Sequence, residues 1–325
     1  MGQEKLNVQS DGQFKPLCRI ILALMLWTCS ITAHASIHDQ EISAHCPQHI
    51  RTSICIVSPV PRLLWRSDVL ERPCLAGQRR FADPILDAYR RLPPLLQRRM
   101  CKLDRIFVER SFWASGYAHP KTNTIGIHQR MFKEQKTLAR WATWKERLPF
   151  DMGDIDKHVR TGQPIQLPRI TIDAPNRSIS SVFFIVVHEL AHRLDMDQGL
   201  SRFPHSQFAK ISWRVQNRKI MSAHLPPSWT APCFYRCDNH KIPLADVRST
   251  YQDLQRGGFV SLYASRHPSE DFAETLTYYV LSRQKDLDLK LHAGNMMLMD
   301  LRSLSRSNLV RQKFDYMSQL IEGGT

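Results

Sequence analysis

Residues Ser181 to Asp195 read SVFFIVVHELAHRLD, and within them His188, Glu189 and His192 form the pattern H-E-x-x-H. Its two histidines can grip one metal ion only if residues i and i+4 are neighbours, which a helix provides and a strand does not. Val182, Ile185, Val186 and Val187 favour a strand on propensity alone, so the spacing of the histidines decides for the helix. Ser178 or Ser180 can cap its start, and Gly199 marks its stop. On such a helix Phe183, Val187, Leu190 and Leu194 fall on one apolar stripe, while His188, His192 and Asp195 share another. One face is expected to anchor the helix and the other to carry chemistry.

One helix cannot complete a hydrolytic zinc site, which needs three protein ligands and one open position. A third histidine six residues beyond the second is ruled out, because that position is Gln198, and the glycine expected with it is replaced by Asp195. A later carboxylate is available in Tyr263-Ala-Ser-Arg-His-Pro-Ser-Glu270-Asp-Phe-Ala-Glu274. Pro268 suits a first helical turn, which sets Glu270 and Glu274 one turn apart on one face. Glu270 is therefore read as the third ligand of a single zinc ion with His188 and His192. Asp271, turned about 100° away round the helix, is the fallback. Glu274 is expected to accept the distal N–H of a ligand histidine and fix its tautomer, with Asp195 placed beside it around the ligands. Glu189 is then the general base that takes a proton from water.

With these residues in place the chain resembles the gluzincin group that contains the Mlc titration factor A peptidases and the anthrax lethal factor catalytic domain. The likeness rests on HELAH with Arg193-Leu194-Asp195, and on Tyr-Ala-Ser-x-x-Pro-x-Glu-x-Phe-Ala. It covers about Ser181 to Gly199 and Phe259 to Tyr279. The resemblance implies an α+β, zincin-like metalloprotease domain: a small mixed sheet, the H-E-x-x-H helix and a second ligand-bearing helix. It also implies that Tyr263, seven residues before Glu270 as in that group, donates a hydrogen bond to the oxyanion. A peptide substrate would lie along the edge strand of the sheet, for which Thr122 to His128 is the expected segment. The cysteines, the N-terminal leader and the stretch from Asn217 to Asp246 depart from the group, so substrate and partners do not transfer.

Outside the motif, Lys5, Lys15 and Arg19 lead into an apolar run from Ile20 to Trp27 that closes on Ala33-His34-Ala35. That is the layout of a signal peptide cut after Ala35. An uncleaved anchor is the alternative, since Ile20 to Ser36 carries no charge; Thr28 before Cys29 is a poor match to a lipoprotein signal. A secreted or periplasmic protein follows, divided into the leader (1–35), a disulfide-tethered N-terminal segment (36–80) and a catalytic domain (81–325), with no membrane span after cleavage.

Removal of the leader leaves six of the eight cysteines, and an even number in an exported chain implies disulfides. A local Cys233 to Cys237 bridge and two bridges among Cys46, Cys55, Cys74 and Cys101 are expected. A second zinc site at Cys233, Cys237 and His240 is the competing reading. The net charge of the whole chain is +15. Lys5, Lys15 and Arg19 against Glu4 and Asp11 fall in the leader, so the mature chain keeps 45 − 3 = 42 basic and 30 − 2 = 28 acidic residues, or +14. Such a field favours an anionic envelope surface. The basic residues are scattered singly and in pairs, which gives no specific nucleic-acid site. The protein is expected to act as a monomer on a peptide or protein substrate. A basic envelope-binding protein that keeps the scaffold without peptidase activity is the alternative from another class.

Apolar spacing further predicts a helix over Phe81 to Met100, broken at Pro93-Pro94. Strands are predicted at Leu103 to Glu109, Asn123 to His128 and Arg169 to Ile172, and a helix at Lys133 to Arg147. The other histidines, and Trp141, Trp144 and Trp213, are read as structural or as lining a cleft.

Overall fold

The computed structural model describes residues 45–57, 74, 79–110, 114–132, 137–152, 168–173, 179–217, 219–226, 228–235, 241–285 and 287–323. Contacts divide the chain at Pro47, and everything below except Cys46 belongs to the larger unit, Gln48–Thr325. The expected signal peptide lies outside the described residues. No helix among the described residues is long and apolar enough to cross a membrane.

Among the described residues, three small sheets and eight labelled helices build an α+β architecture. The first sheet holds β1 (Ile54–Ile56), β2 (Arg105–Glu109), β3 (Gly116–Ala118) and β4 (Thr124–His128) in the order β1-β2-β4-β3. β1, β2 and β4 run parallel, and β3 returns antiparallel to β4. Ile106, Phe107 and Val108 of β2 are buried in succession rather than alternately, as a parallel strand covered on both faces requires.

The open edge of this sheet corrects the expectation for Thr122 to His128. β4 is bonded on both sides, by β2 and β3, so among the described strands the edge beside the motif helix is β3. The three residues of β3 are too few to show any period, which is why the strand escapes a reading of the sequence. Their place is secured by Tyr117, whose ring lies over Gly126: a Cβ there would stand 2.0 Å from the ring. The Tyr117 hydroxyl donates to Glu109 Oε1 at 2.6 Å.

The predicted first helix is split at the two prolines into α1 (Arg79–Arg91) and α2 (Pro94–Cys101). α3 (Leu138–Arg147) starts at Thr137, whose hydroxyl accepts the Arg140 N–H. The strand foreseen near Arg169 is β5 (Pro168–Asp173), but it leaves the first sheet. It pairs antiparallel with β8 (Asp288–Ala293), which pairs with β9 (Met296–Asp300). Short α5 (Gln207–Ser212) leads into a hairpin, β6 (Trp213–Gln216) and β7 (Lys219–Ser222). α6 (Val247–Arg256) precedes the second site helix, and α8 (Asn308–Glu322) closes the domain.

The motif helix α4 (Ser181–Gln198) ends at Gly199, which takes the left-handed conformation at φ 66°. Ser180 holds the N-cap position without a side-chain cap bond. The expected apolar stripe is buried, but so are Val182, Phe184, Ile185 and Val186 around it. The cause is tertiary: α4 packs against α7 (Pro268–Ser282) and also against α1, α3, β3 and β4. Six cysteines beyond the expected leader suggest an oxidised chain. Cys55 is joined to Cys74, and Cys46, Cys101 and Cys233 are also disulfide-bonded.

Candidate metal centre

α4 and α7 pack tightly along one another and bring the two sequence motifs together. α7 begins at Pro268, and the His267 ring caps it by accepting the Ser269 N–H at 3.2 Å. Glu270, in the first turn, faces the two histidines of α4. His188 Nε2 and His192 Nε2 lie 3.1 Å apart, and Glu270 Oε2 lies 3.2 Å from His192 Nε2 and 3.4 Å from His188 Nε2. Ligand atoms held tetrahedrally at about 2.0–2.1 Å from zinc stand roughly 3.3 Å from one another. Three electron-pair donors converging at that spacing fit the metal by both geometry and donor type. Among the described residues His188, His192 and Glu270 form the one group of this kind.

The surrounding charges favour a cation here. Burial would lower the His188 pKa, but Glu270 and Glu274 outweigh it and push it up to about 10. Burial likewise opposes ionisation of Glu270, and the two imidazoles overcome it, holding the carboxyl well below the usual range. An arrangement that favours a proton on His188 favours a metal ion at the same point.

Around the ligands, Glu274 Oε1 makes an oblique contact with His188 Nδ1 at 3.0 Å and pairs with the buried Lys145 Nζ at 2.6 Å. Glu274 Oε2 accepts the Ser261 hydroxyl at 2.7 Å. Burial opposes its ionisation, but Lys145 and His188 hold the carboxyl down to about 2. Asp195 is not beside the histidine nitrogens: its two oxygens accept the Ser201 N–H and hydroxyl, each at 2.6 Å, closing the turn after α4. Asp271 points into the core, where it meets Lys313 Nζ at 2.7 Å and accepts the Trp213 indole N–H at 2.8 Å. That contact removes the fallback ligand from the centre.

Glu189 is buried beside the ligands, and burial raises its pKa against the pull of His188 and His192. Backbone comes unusually close: a Cβ on Gly116 of β3 would lie 2.6 Å from Glu189 Oε1. The Tyr263 ring lies 6.1 Å from the His188 ring, edge-on to Phe234 at 4.8 Å and between Lys145 and Arg266, 4.6 and 5.3 Å from its centroid. Burial and then Glu270 raise its pKa well above the ordinary value, so the phenol keeps its proton as a donor.

Lys145, Ser261, Gly116 and Tyr235 carry no signal in local spacing; Lys145 sits in an ordinary helix between Trp144 and Glu146. Of the remaining histidines, His119 accepts the Thr122 N–H and His128 the Arg130 N–H, both structural uses. The disulfide at Cys233 takes away the thiolate that a second zinc site would need.

A family model described as "Putative zinc-binding metallo-peptidase" matches residues 156–321, a stretch that holds His188, His192 and Glu270. No curated protein and no solved structure matches the chain.

Proposed function

The chain belongs to this family of zinc-binding metallopeptidases, and from that premise we propose that it is an exported, zincin-like peptidase of the gluzincin arrangement. His188, His192 and Glu270 would hold one zinc ion. The observation that carries the reading is the convergence of their three donor atoms at 3.1–3.4 Å. When bound, zinc lowers the pKa of a water molecule to about 7 and polarises a carbonyl.

The chain's own residues supply the remaining work. Glu189, kept basic by burial, takes the proton of the attacking water and passes it to the leaving amine. Tyr263 donates its phenol proton in a hydrogen bond to the oxyanion. Glu274 orients His188 and is itself held by Lys145 and Ser261. The open edge of β3, whose Gly116 lies against Glu189, is the strand along which an extended peptide would pair. Export is supported by the leader and by the oxidised cysteines.

The test joins metal analysis to cleavage of a mixed peptide pool. One zinc per chain is expected, with hydrolysis that a chelator removes and added zinc restores. Glu189→Gln should keep the zinc and lose roughly a hundredfold or more in turnover. Unchanged turnover in that variant would refute the mechanism.

A further inference from the structure

Beside Glu189 lies a cavity of about 40 Å³, bounded by β3 at Gly116 and by α4 at Ile185 and His188. A substrate strand along the edge of β3 brings its scissile bond next to Glu189, and a side chain adjoining that bond meets this cavity. An apolar cavity that holds benzene measures about 150 Å³, or about 25 Å³ for each carbon. The space therefore takes a hydrogen, a methyl or a hydroxymethyl group, and it has no room for Leu or Phe.

The walls cannot easily give way. Trp141 and Phe184 pack with ring centroids 4.8 Å apart, and the Trp141 indole N–H donates to Ser115 Oγ at 3.1 Å. Lys145 Nζ stands 4.9 Å from the Phe184 ring centroid and 4.6 Å from that of Tyr263. Enlarging the pocket would displace a cation already paired with Glu274 at 2.6 Å, and packed interiors resist such insertion. Glu274 offsets the charge of Lys145, which leaves the carboxylate of Glu189 as the acidic group of the lining. Tyr235 supplies a further wall. It comes from neither site helix but from the segment following the disulfide-bonded Cys233.

We propose that this cavity binds one substrate side chain next to the scissile bond, that it accepts Gly, Ala or Ser and excludes larger residues, and that Tyr235 sets the limit. The proposal rests on the peptidase reading above and names its substrate class. The experiment compares zinc-loaded full-length wild type with Tyr235→Phe, Tyr235→Leu and Tyr235→Ala, on a mixed peptide pool and on matched Ala and Leu peptides.

Wild type and Tyr235→Phe should cut where a small residue stands on one fixed side, favouring the Ala peptide by about tenfold or more in kcat/KM. Tyr235→Leu and Tyr235→Ala should narrow that preference by gaining on the Leu peptide; either one suffices if the other fails to fold. Wild type cutting equally well between bulky residues, or an unchanged profile in both smaller variants, overturns the proposal. A Tyr235→Phe enzyme whose preference narrows as far as in the smaller variants also overturns it, since the hydroxyl and not the wall would then matter. Absence of cleavage by every form refutes the peptidase reading itself, whereas cleavage with the wrong profile refutes only the pocket.

Discussion

At the scale of single residues, the centre divides into groups that do chemistry and groups that make room for it. Gly116 is of the second kind. An alanine there would press its methyl to 2.6 Å from both Glu189 Oε1 and Ile185 Cγ2, so Glu189 must move. Gly116→Ala should lower kcat by about a hundredfold, the effect of a misplacement near 1 Å, while zinc content stays at wild-type level; kinetics and metal analysis on one preparation check both. Glu270→Ala, by contrast, should lose zinc affinity, read by chelator competition. Full occupancy in that variant would show that Glu270 is not the third ligand. His188 and His192 stand out in the sequence because they recur at four residues around Glu189, and Glu270 because it opens a helix with Glu274 one turn on. Gly116 does not, because its role is defined by a side chain 73 positions away that no local pattern mentions.

At the scale of elements, α7 is gripped on two sides by buried lysines. Lys145 of α3 pairs with Glu274, and Lys313 of α8 pairs with Asp271. The second pair carries no chemistry but seats the turn that presents Glu270. Asp271→Ala would leave Lys313 buried without its counter-ion, at a cost of about 3–5 kcal/mol. Replacing both, as Asp271→Ala with Lys313→Met, should recover much of that loss. Urea unfolding of the zinc-saturated proteins measures the difference, and an Asp271→Ala protein as stable as wild type would show that the pair is dispensable. The rotation of Asp271 away from Glu270 followed from the helical repeat alone. Its partner did not, since Lys313 lies 42 residues further on in a helix that gives it no distinguishing spacing.

For the whole molecule, stability should carry the mark of a buried acid outside the group of His188, His192 and Glu270. Burial raises the Glu146 pKa from 4.5 to about 7, although the Tyr251 hydroxyl donates to it and Lys145 is near. The folded protein then binds a proton that the unfolded chain has released between these values. Stability from this group is full below pH 4.5 and is lost as pH rises through about 7. The shift corresponds to something on the order of 3 kcal/mol. Glu146→Gln should flatten that fall: thermal unfolding of both proteins from pH 5 to 8 should give curves that diverge as pH rises. Parallel curves would remove Glu146 as the cause. The sequence by itself determined the motif helix, the kind of metal it suits and the oxidised state of the cysteines, because helical period, ligand chemistry and cysteine count are properties of the chain read locally. Only the tertiary structure decided that three donor atoms meet at one point, that β3 and not β4 is the open edge, which acids are neutralised by buried lysines and that Tyr235 stands at the site. Those depend on contacts between distant segments, and spacing along a chain does not specify which distant side chain will fill a given space.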